Sequence, residues 1–167
     1  WCKPGDSYGW GSPSFVVDQE GKGLLGRPVR DYRYVNSQTK DVAWPSANAE
    51  RILSRAQQAK LHSTLDCIWG FTQVAITPET SQLLSLTTRR GLLRPLVLYF
   101  GPKQGPGIFQ SLVDTTFGGL RGSKGEEFSA IFMDDVHIGT EGAPGDDPGG
   151  DKLLERHIAH LEVFLSA

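Results

Sequence analysis

Cysteine, methionine and long apolar runs are all scarce in this chain of 167 residues. The two cysteines, Cys2 and Cys67, stand far apart and lack metal-type spacing. A disulfide framework is therefore not expected, and a reducing compartment fits better. No stretch of about 18 apolar residues occurs, so no membrane span is expected, and no secretory leader is visible. Charge of one sign is also lacking: 17 Lys and Arg stand against 19 Asp and Glu, a formal net charge of −2. Such a balance does not advertise a polyanion partner, so any nucleic-acid surface must come from local clustering. There is no internal repeat. The first residue is Trp1, not Met, which reads as a fragment or processed piece of something longer.

What is present is a globular composition. Hydrophobic residues make up 38%, with eight Phe, four Trp and four Tyr, which excludes wholesale disorder. Twenty Gly and ten Pro imply many turns. The length suits one core rather than two, so a single domain over 1–167 is expected.

Along the chain, residues 13–17 and 27–35 read as two strands with a Gly-rich turn at 20–26 between them. Period two places Arg27, Val29, Asp31 and Arg33 on one face of the second strand. Pro45 and Ser46 open a helix, with Ser46 as N-cap and Ala49, Ile52, Leu53, Ala56 and Ala59 as its apolar stripe. Residues 63–66 read as a strand ending on Asp66, and 69–76 turn back toward a further strand. Residues 83–87 and 96–100 read as a strand pair around the basic turn Arg89-Arg90-Gly91. Pro106 suits the first turn of a helix that buries Ile108, Phe109, Leu112, Val113 and Phe117. A hairpin over 128–139, an exposed Gly/Pro/Asp loop over 141–150 and a last helix with Leu154, Ile158, Leu161 and Leu165 on one side complete the order. Interleaved strands and helices with an antiparallel hairpin predict an α+β fold, helices on one face of a sheet.

The hairpin tip carries Phe132-Met133-Asp134-Asp135. Two adjacent carboxylates repel, and strands are poor places for Asp. A divalent cation relieves the repulsion, because hard cations take several carboxylate oxygens. A solvated acidic turn is the competing reading. Asp66, also at a strand end, would complete a set of three if the two strands lie side by side. Three carboxylates can hold two ions about 3.5–4 Å apart, the arrangement that clamps both oxygens of an in-line phosphoryl displacement. His157 and His160, at i and i+3 on the last helix, could ligate a metal, but no Cys or third ligand stands near, so no metal site is expected there. The 101–107 glycines lack the Gly-Lys-Ser/Thr ending of a phosphate loop.

The segment Ser63-Thr64-Leu65-Asp66-Cys67-Ile68-Trp69-Gly70-Phe71-Thr72-Gln73-Val74 resembles the first catalytic motif of reverse transcriptases, and Phe132-Met133-Asp134-Asp135 resembles their aromatic-X-Asp-Asp motif. Phe100-Gly101-Pro102-Lys103-Gln104-Gly105-Pro106-Gly107-Ile108-Phe109-Gln110 resembles the middle motif of Gypsy-type LTR retroelements. Trp10-Gly11-Ser12-Pro13 and Asp31-Tyr32-Arg33-Tyr34-Val35-Asn36 are similar to the fingers motifs. Five motifs stand in the family's order from about residue 10 to the C-terminus.

The resemblance implies a right-hand polymerase palm, a ferredoxin-like antiparallel sheet backed by helices, with partial fingers at about 1–45 and 78–100 and no thumb. It implies Asp66, Asp134 and Asp135 as catalytic ligands of two Mg2+ ions, or Mn2+. Phe71 would be the gate beneath the incoming sugar, where a ribose 2′-OH would clash. Trp69, Gly70, Phe100, Gly101 and Arg27 would serve the nucleotide, and Asp31 and Arg33 the template. Partners would be an RNA or DNA template with its primer and deoxynucleoside triphosphates. The location would be intracellular, in a cytoplasmic retroelement particle or the nucleus.

Departures matter too. Asp18, Gln19 and Glu20 stand where the family commonly places lysines, and Pro28, Arg30, Pro102 and the Gln104-Gly105 pair are unusual. Residues 82–86 replace the Lys/Thr-Ala-Phe-type stretch, and the lysine motif, primer grip and thumb do not follow the Asp pair. Nucleic-acid affinity rests on neutralised phosphates, so weak or no polymerisation by this piece alone is expected. A non-catalytic polymerase-like binding domain is the runner-up, and a metal-dependent phosphohydrolase a third reading.

Overall fold

A computed structural model describes residues 2–5, 10–18, 26–43, 49–143, 146 and 150–167. In chain order the elements are β1 (Cys2–Pro4), β2 (Ser12–Val17), β3 (Arg27–Arg30), α1 (Arg33–Gln38), α2 (Ala49–Gln58), β4 (Ala59–Asp66), a 3₁₀ turn (Gly70–Gln73), α3 (Pro78–Leu83), β5 (Leu86–Thr88), β6 (Gly91–Pro95), α4 (Gly105–Phe117), β7 (Ser129–Phe132), β8 (Asp135–Glu141) and α5 (Asp151–Leu165). The expected 20–26 turn, apart from Gly26, and the Pro45-Ser46 helix start lie outside the described residues. The chain divides into two compact units, each built from two stretches: Trp1–Ala43 with Trp69–Gly105, and Trp44–Ile68 with Pro106–Ala167.

The first unit holds a five-stranded sheet in the order β1-β6-β5-β2-β3. β3 is an edge strand, and Pro28, which has no N–H to donate, pairs there with Val16. The strand expected over 27–35 stops at Arg30. The Asp31 N–H turns back to Pro13 O at 2.9 Å, and its carboxylate accepts the Arg33 N–H at 3.1 Å, so the chain enters α1 instead. The strand expected at 83–87 shifts as well. Thr77 caps α3 by accepting the Thr80 N–H, with Pro78 in the first turn, and β5 begins only at Leu86. The basic turn survives as the β5–β6 connection, where Thr88 pairs with Gly91. Residues 96–100 form no strand; among them only Val97 makes a bridge, to Ala75. The core of this unit gathers Tyr32, Leu84 and Leu86, with Val35, Ile76 and Leu93 packed against them.

The second unit holds a three-stranded antiparallel sheet in the order β4-β8-β7. Burial alternates along β4, with Lys60, His62, Thr64 and Asp66 exposed and Leu61, Ser63 and Leu65 half-buried. Along β8, Val136, Ile138 and Thr140 are buried. Phe128, Val136, Ile138 and Phe164 form the core, joined by Leu65, Cys67, Phe117, Leu120, Ile131 and Leu161. Because one face is buried, a one-residue slip would turn these side chains out, and that fixes the register.

Three helix faces differ from expectation: on α2, Leu53 is exposed, and Ala59, expected on its apolar stripe, already opens β4. On α4, Phe109 and Val113 are buried, but Ile108 and Leu112 are exposed. On α5, Leu154, Ile158 and Leu165 are 50%, 45% and 72% exposed, while His157, His160 and Phe164 face inward. The helix is turned this way by a polar network that satisfies both imidazoles. Thr140 Oγ1 sits 2.8 Å from Nδ1 of each, Ser63 Oγ lies 2.9 Å from His157 Nε2, and Glu126 Oε1 lies 2.9 Å from His160 Nε2. Both histidines thus have structural partners.

Candidate active site

The alternation of β4 carries the chain outward at Asp66, and β8 begins at Asp135. The two residues are direct cross-strand partners at the end of the β4–β8 ladder. Direct partners in an antiparallel pair project from the same face. Asp134 belongs to the two-residue turn between β7 and β8, and its carbonyl accepts the Cys67 N–H at 2.9 Å. All three acidic residues therefore lie at one end of one sheet. The Cys67 thiol registers this crowding: burial pushes it up first, then the negative charges of Asp134, Asp66 and Asp135. Among the described residues, no three His, Cys, Asp or Glu side chains are already drawn into a metal cage.

The turn itself is held in an uncommon shape. Met133 has φ 56°, in the left-handed region that non-glycine residues rarely adopt. Its N–H donates to Gln110 Oε1 at 2.8 Å, and Gln110 Nε2 donates to Asp114 Oδ1 at 2.9 Å. Gln110 is only 6% exposed. The sequence offered Gln110 as the last residue of the middle motif but gave no sign that it pins the acidic turn from α4.

The other singled-out residues belong to the first unit. Trp69 stands in the left-handed region at φ 57° and is 65% exposed, while Gly70 and Phe71 are buried in the 3₁₀ turn it opens. Phe71 is tilted against Phe100, with ring centroids 4.6 Å apart. Gly101 has φ 115°, and a Cβ there would come within 3.0 Å of Tyr32 Cδ2. Asn36, quoted in a motif but assigned no role, clamps this bend: its Nδ2 donates to Gly101 O and its Oδ1 accepts the Lys103 N–H, both at 2.8 Å. Arg27 opens β3 opposite Val17, and its side chain is outside the described part of the structure. Asp31 and Arg33 grip each other in a two-point ion pair at 2.9 and 2.6 Å. The guanidinium hydrogen bond is the main reason the Asp31 carboxyl is held down at about 2.

The profile of the family described as "Reverse transcriptase (RNA-dependent DNA polymerase)" matches residues 23–167, and the chain belongs to that family. The enzymatic polyprotein of Cauliflower mosaic virus (strain D/H) is 32% identical over 156 residues, which is 92% of this chain and 21% of that polyprotein. The putative enzymatic polyprotein of Cassava vein mosaic virus is 27% identical over 93% of this chain and 22% of its own length. The chain thus spans about a fifth of the curated relatives it matches. Among solved structures, Prototype Foamy Virus protease-reverse transcriptase superposes with a TM-score of 0.73 at 22% identity, covering 99% of this chain and 20% of that one. The foamy viral enzyme in complex with dsDNA gives a TM-score of 0.74 at 20% identity, covering 99% and 32%. The fold is that of a retroviral reverse transcriptase, mixed α and β with sheets backed by helices.

Proposed function

We propose that this chain carries the nucleotidyl-transfer centre of an RNA-directed DNA polymerase, which extends a primer 3′-OH on an RNA or DNA template and releases pyrophosphate. The observation that carries this reading is the Asp66–Asp135 cross-strand pair, with Asp134 in the adjoining turn. The donor set suits the expected ions: three carboxylates supply hard oxygen ligands of the kind magnesium accepts beside substrate phosphates. Asp66, Asp134 and Asp135 would hold two Mg2+ or Mn2+ ions, which when bound would neutralise charge developing on the attacking and leaving oxygens.

The chain's own residues supply the positioning. Gln110 and the Cys67 N–H fix the backbone of the acidic turn. We assign Phe71, braced by Phe100, to exclusion of the ribose 2′-OH, and Trp69, Gly70, Gly101 and Arg27 to the nucleotide. Asp31 and Arg33 go to the template strand. The unit made of Trp1–Ala43 and Trp69–Gly105 would supply mainly the fingers, with the 69–77 segment counted with the palm, and the other unit the rest of the palm. The foamy viral relatives were solved with dsDNA and with an RNA/DNA hybrid, which supports a primed template as the partner. The Gypsy-type LTR subtype rests on the residues of the 100–110 motif, while Cauliflower mosaic virus and Cassava vein mosaic virus supply virus polyproteins as relatives. An intracellular location follows from that class of element. The acidic and polar residues at 18–20 favour the alternative of a non-catalytic binding domain.

The test is a chimera in which this chain replaces the matching segment of the Cauliflower mosaic virus polyprotein. Mg2+-dependent primer extension, abolished by Asp134→Asn with the thermal melt unchanged, is the expected result. A folded chimera that extends nothing, or one in which Asp134→Asn extends as well as the parent, overturns the proposal.

A further inference from the structure

On the exposed face of the β4-β8-β7 sheet, at same-face positions just inward from the Asp66–Asp135 pair, two imidazoles meet. His62 lies two residues beyond Thr64 on β4, and Thr64 is the cross-strand partner of His137. The two histidines are therefore diagonal neighbours on one face, and His62 Nδ1 stands 3.0 Å from His137 Nε2. Their ring centroids are 5.2 Å apart with planes inclined at 46°. His62 is exposed and His137 half-buried, so the pair is open to solute from one side.

The backbone beneath the pair is shaped for it. Gly139 is the cross-strand partner of His62. A Cβ on Gly139 would stand 3.0 Å from His137 Cε1 and 2.9 Å from Ala59 Cβ. The missing side chain is the room in which the His137 ring lies over the sheet and reaches His62. On the other flank His137 pairs with Ala130, another small residue. A small, shallow hollow opens beside the ring, lined in part by Glu127, Phe128, Ala130, Gly139 and Glu141.

Two neutral imidazole nitrogens at this separation share one proton in a hydrogen bond, and a metal ion can take that proton's place. With Zn–N bonds of about 2.0–2.1 Å, a 3.0 Å gap corresponds to an N–Zn–N angle of about 90–100°. Opening to the tetrahedral angle lengthens the gap by only about 0.3–0.4 Å. Both nitrogens present lone pairs when His62 carries its proton on Nε2 and His137 on Nδ1, the two ordinary neutral tautomers. Among the described residues no third His, Cys, Asp or Glu joins the pair, so water fills the remaining positions.

We propose that His62 and His137 form a two-point site for a borderline transition-metal ion of the Zn2+, Ni2+ or Cu2+ class, separate from the acidic strand ends. Imidazole nitrogen favours these ions, whereas Mg2+ takes oxygen, so the two sites on one sheet select different metals. This inference does not depend on polymerase activity.

The test uses the whole 167-residue chain in chelator-free neutral buffer, titrated with Zn2+ and followed by imidazole 15N shifts and by calorimetry. His62 Nδ1 and His137 Nε2 should shift together and saturate at one equivalent, with excess Mg2+ failing to displace the ion. His62→Ala, at an exposed position, should leave the thermal melt unchanged and weaken binding at least about tenfold, as should His137→Gln. Gly139→Ala, if folded, should weaken it with both histidines present. Absence of saturable shifts up to millimolar Zn2+, binding that ignores His62→Ala, or shifts centred on His157 and His160 would each overturn the proposal.

Discussion

Asp66 and Asp135 face each other at the last paired position of the β4–β8 ladder. Like charges directly opposite destabilise a sheet. In metal-free buffer Asp66→Asn should therefore raise stability, by up to about 1 kcal/mol. The same variant should lose most of the rise in melting temperature that Mg2+ gives the parent chain. Parallel urea and thermal melts with and without Mg2+ check both halves, and a variant that is less stable without metal contradicts the cross-strand repulsion.

Gln110 should control the acidic turn from a distance along the chain. Gln110→Leu leaves the Met133 N–H without its side-chain acceptor, at a cost of about 1–3 kcal/mol. Amide exchange at Met133 should accelerate more than exchange at Ile138 in the middle of β8. Equal acceleration throughout the strand would mean general loosening instead.

Phe71 is 5% exposed, so truncation acts on the fold before it acts on sugar choice. Phe71→Ala should cost about 3–5 kcal/mol, seen as a lowered urea midpoint. Phe71→Val, which keeps more apolar fill while shortening the side chain, is the better gate variant. In the polyprotein chimera it should raise ribonucleotide incorporation relative to deoxynucleotide, measured as a ratio of kcat/KM values.

Stability should fall with acid in two stages. Burial first, then the charges of His62 and His157, lowers His137; burial first, then His160 and His62, lowers His157. A group with a lowered folded pKa binds more protons when unfolded, so its contribution is lost as pH falls below the unfolded value of about 6.5. The carboxylates follow: Asp31 and Asp146, both held down at about 2, chiefly by arginine hydrogen bonds, lose their contribution between about pH 4 and pH 2, and Glu126, lowered chiefly by its His160 hydrogen bond, loses its own as pH falls below its unfolded value. Urea midpoints should drop between about pH 7.5 and 5.5, and less so in His157→Gln. A flat midpoint across that interval contradicts the buried-imidazole account.

The acidic hairpin was legible because its signals are local. A short strand at 63–66 ends on Asp66, and an apolar run breaks at an Asp pair. Thr77-Pro78 carried an equally local signal for α3, an N-cap followed by Pro, but the apolar run after it drew the reading toward a strand. The orientation of α5 was not legible. Its leucines outrank two histidines on any hydrophobic measure, and the partners that draw the histidines inward, Ser63, Glu126 and Thr140, lie 94, 34 and 17 or 20 residues away. The left-handed backbone at Trp69 and Met133 has no sequence signature either, since neither residue favours it. The mutual grip of Asp31 and Arg33 was within reach of the sequence as an i to i+2 pair, yet period-two reasoning treated them as strand neighbours on one face.

The proposed centre requires Asp66, Asp134 and Asp135 to act together on divalent ions. Titration of the chain with Mn2+, read by paramagnetic broadening of backbone amide signals, tests it most directly. Signals around residues 66, 134 and 135 should broaden first, and Asp66→Asn and Asp134→Asn should each suppress the effect while the fold persists. Broadening centred elsewhere, or unchanged in both variants, would contradict it.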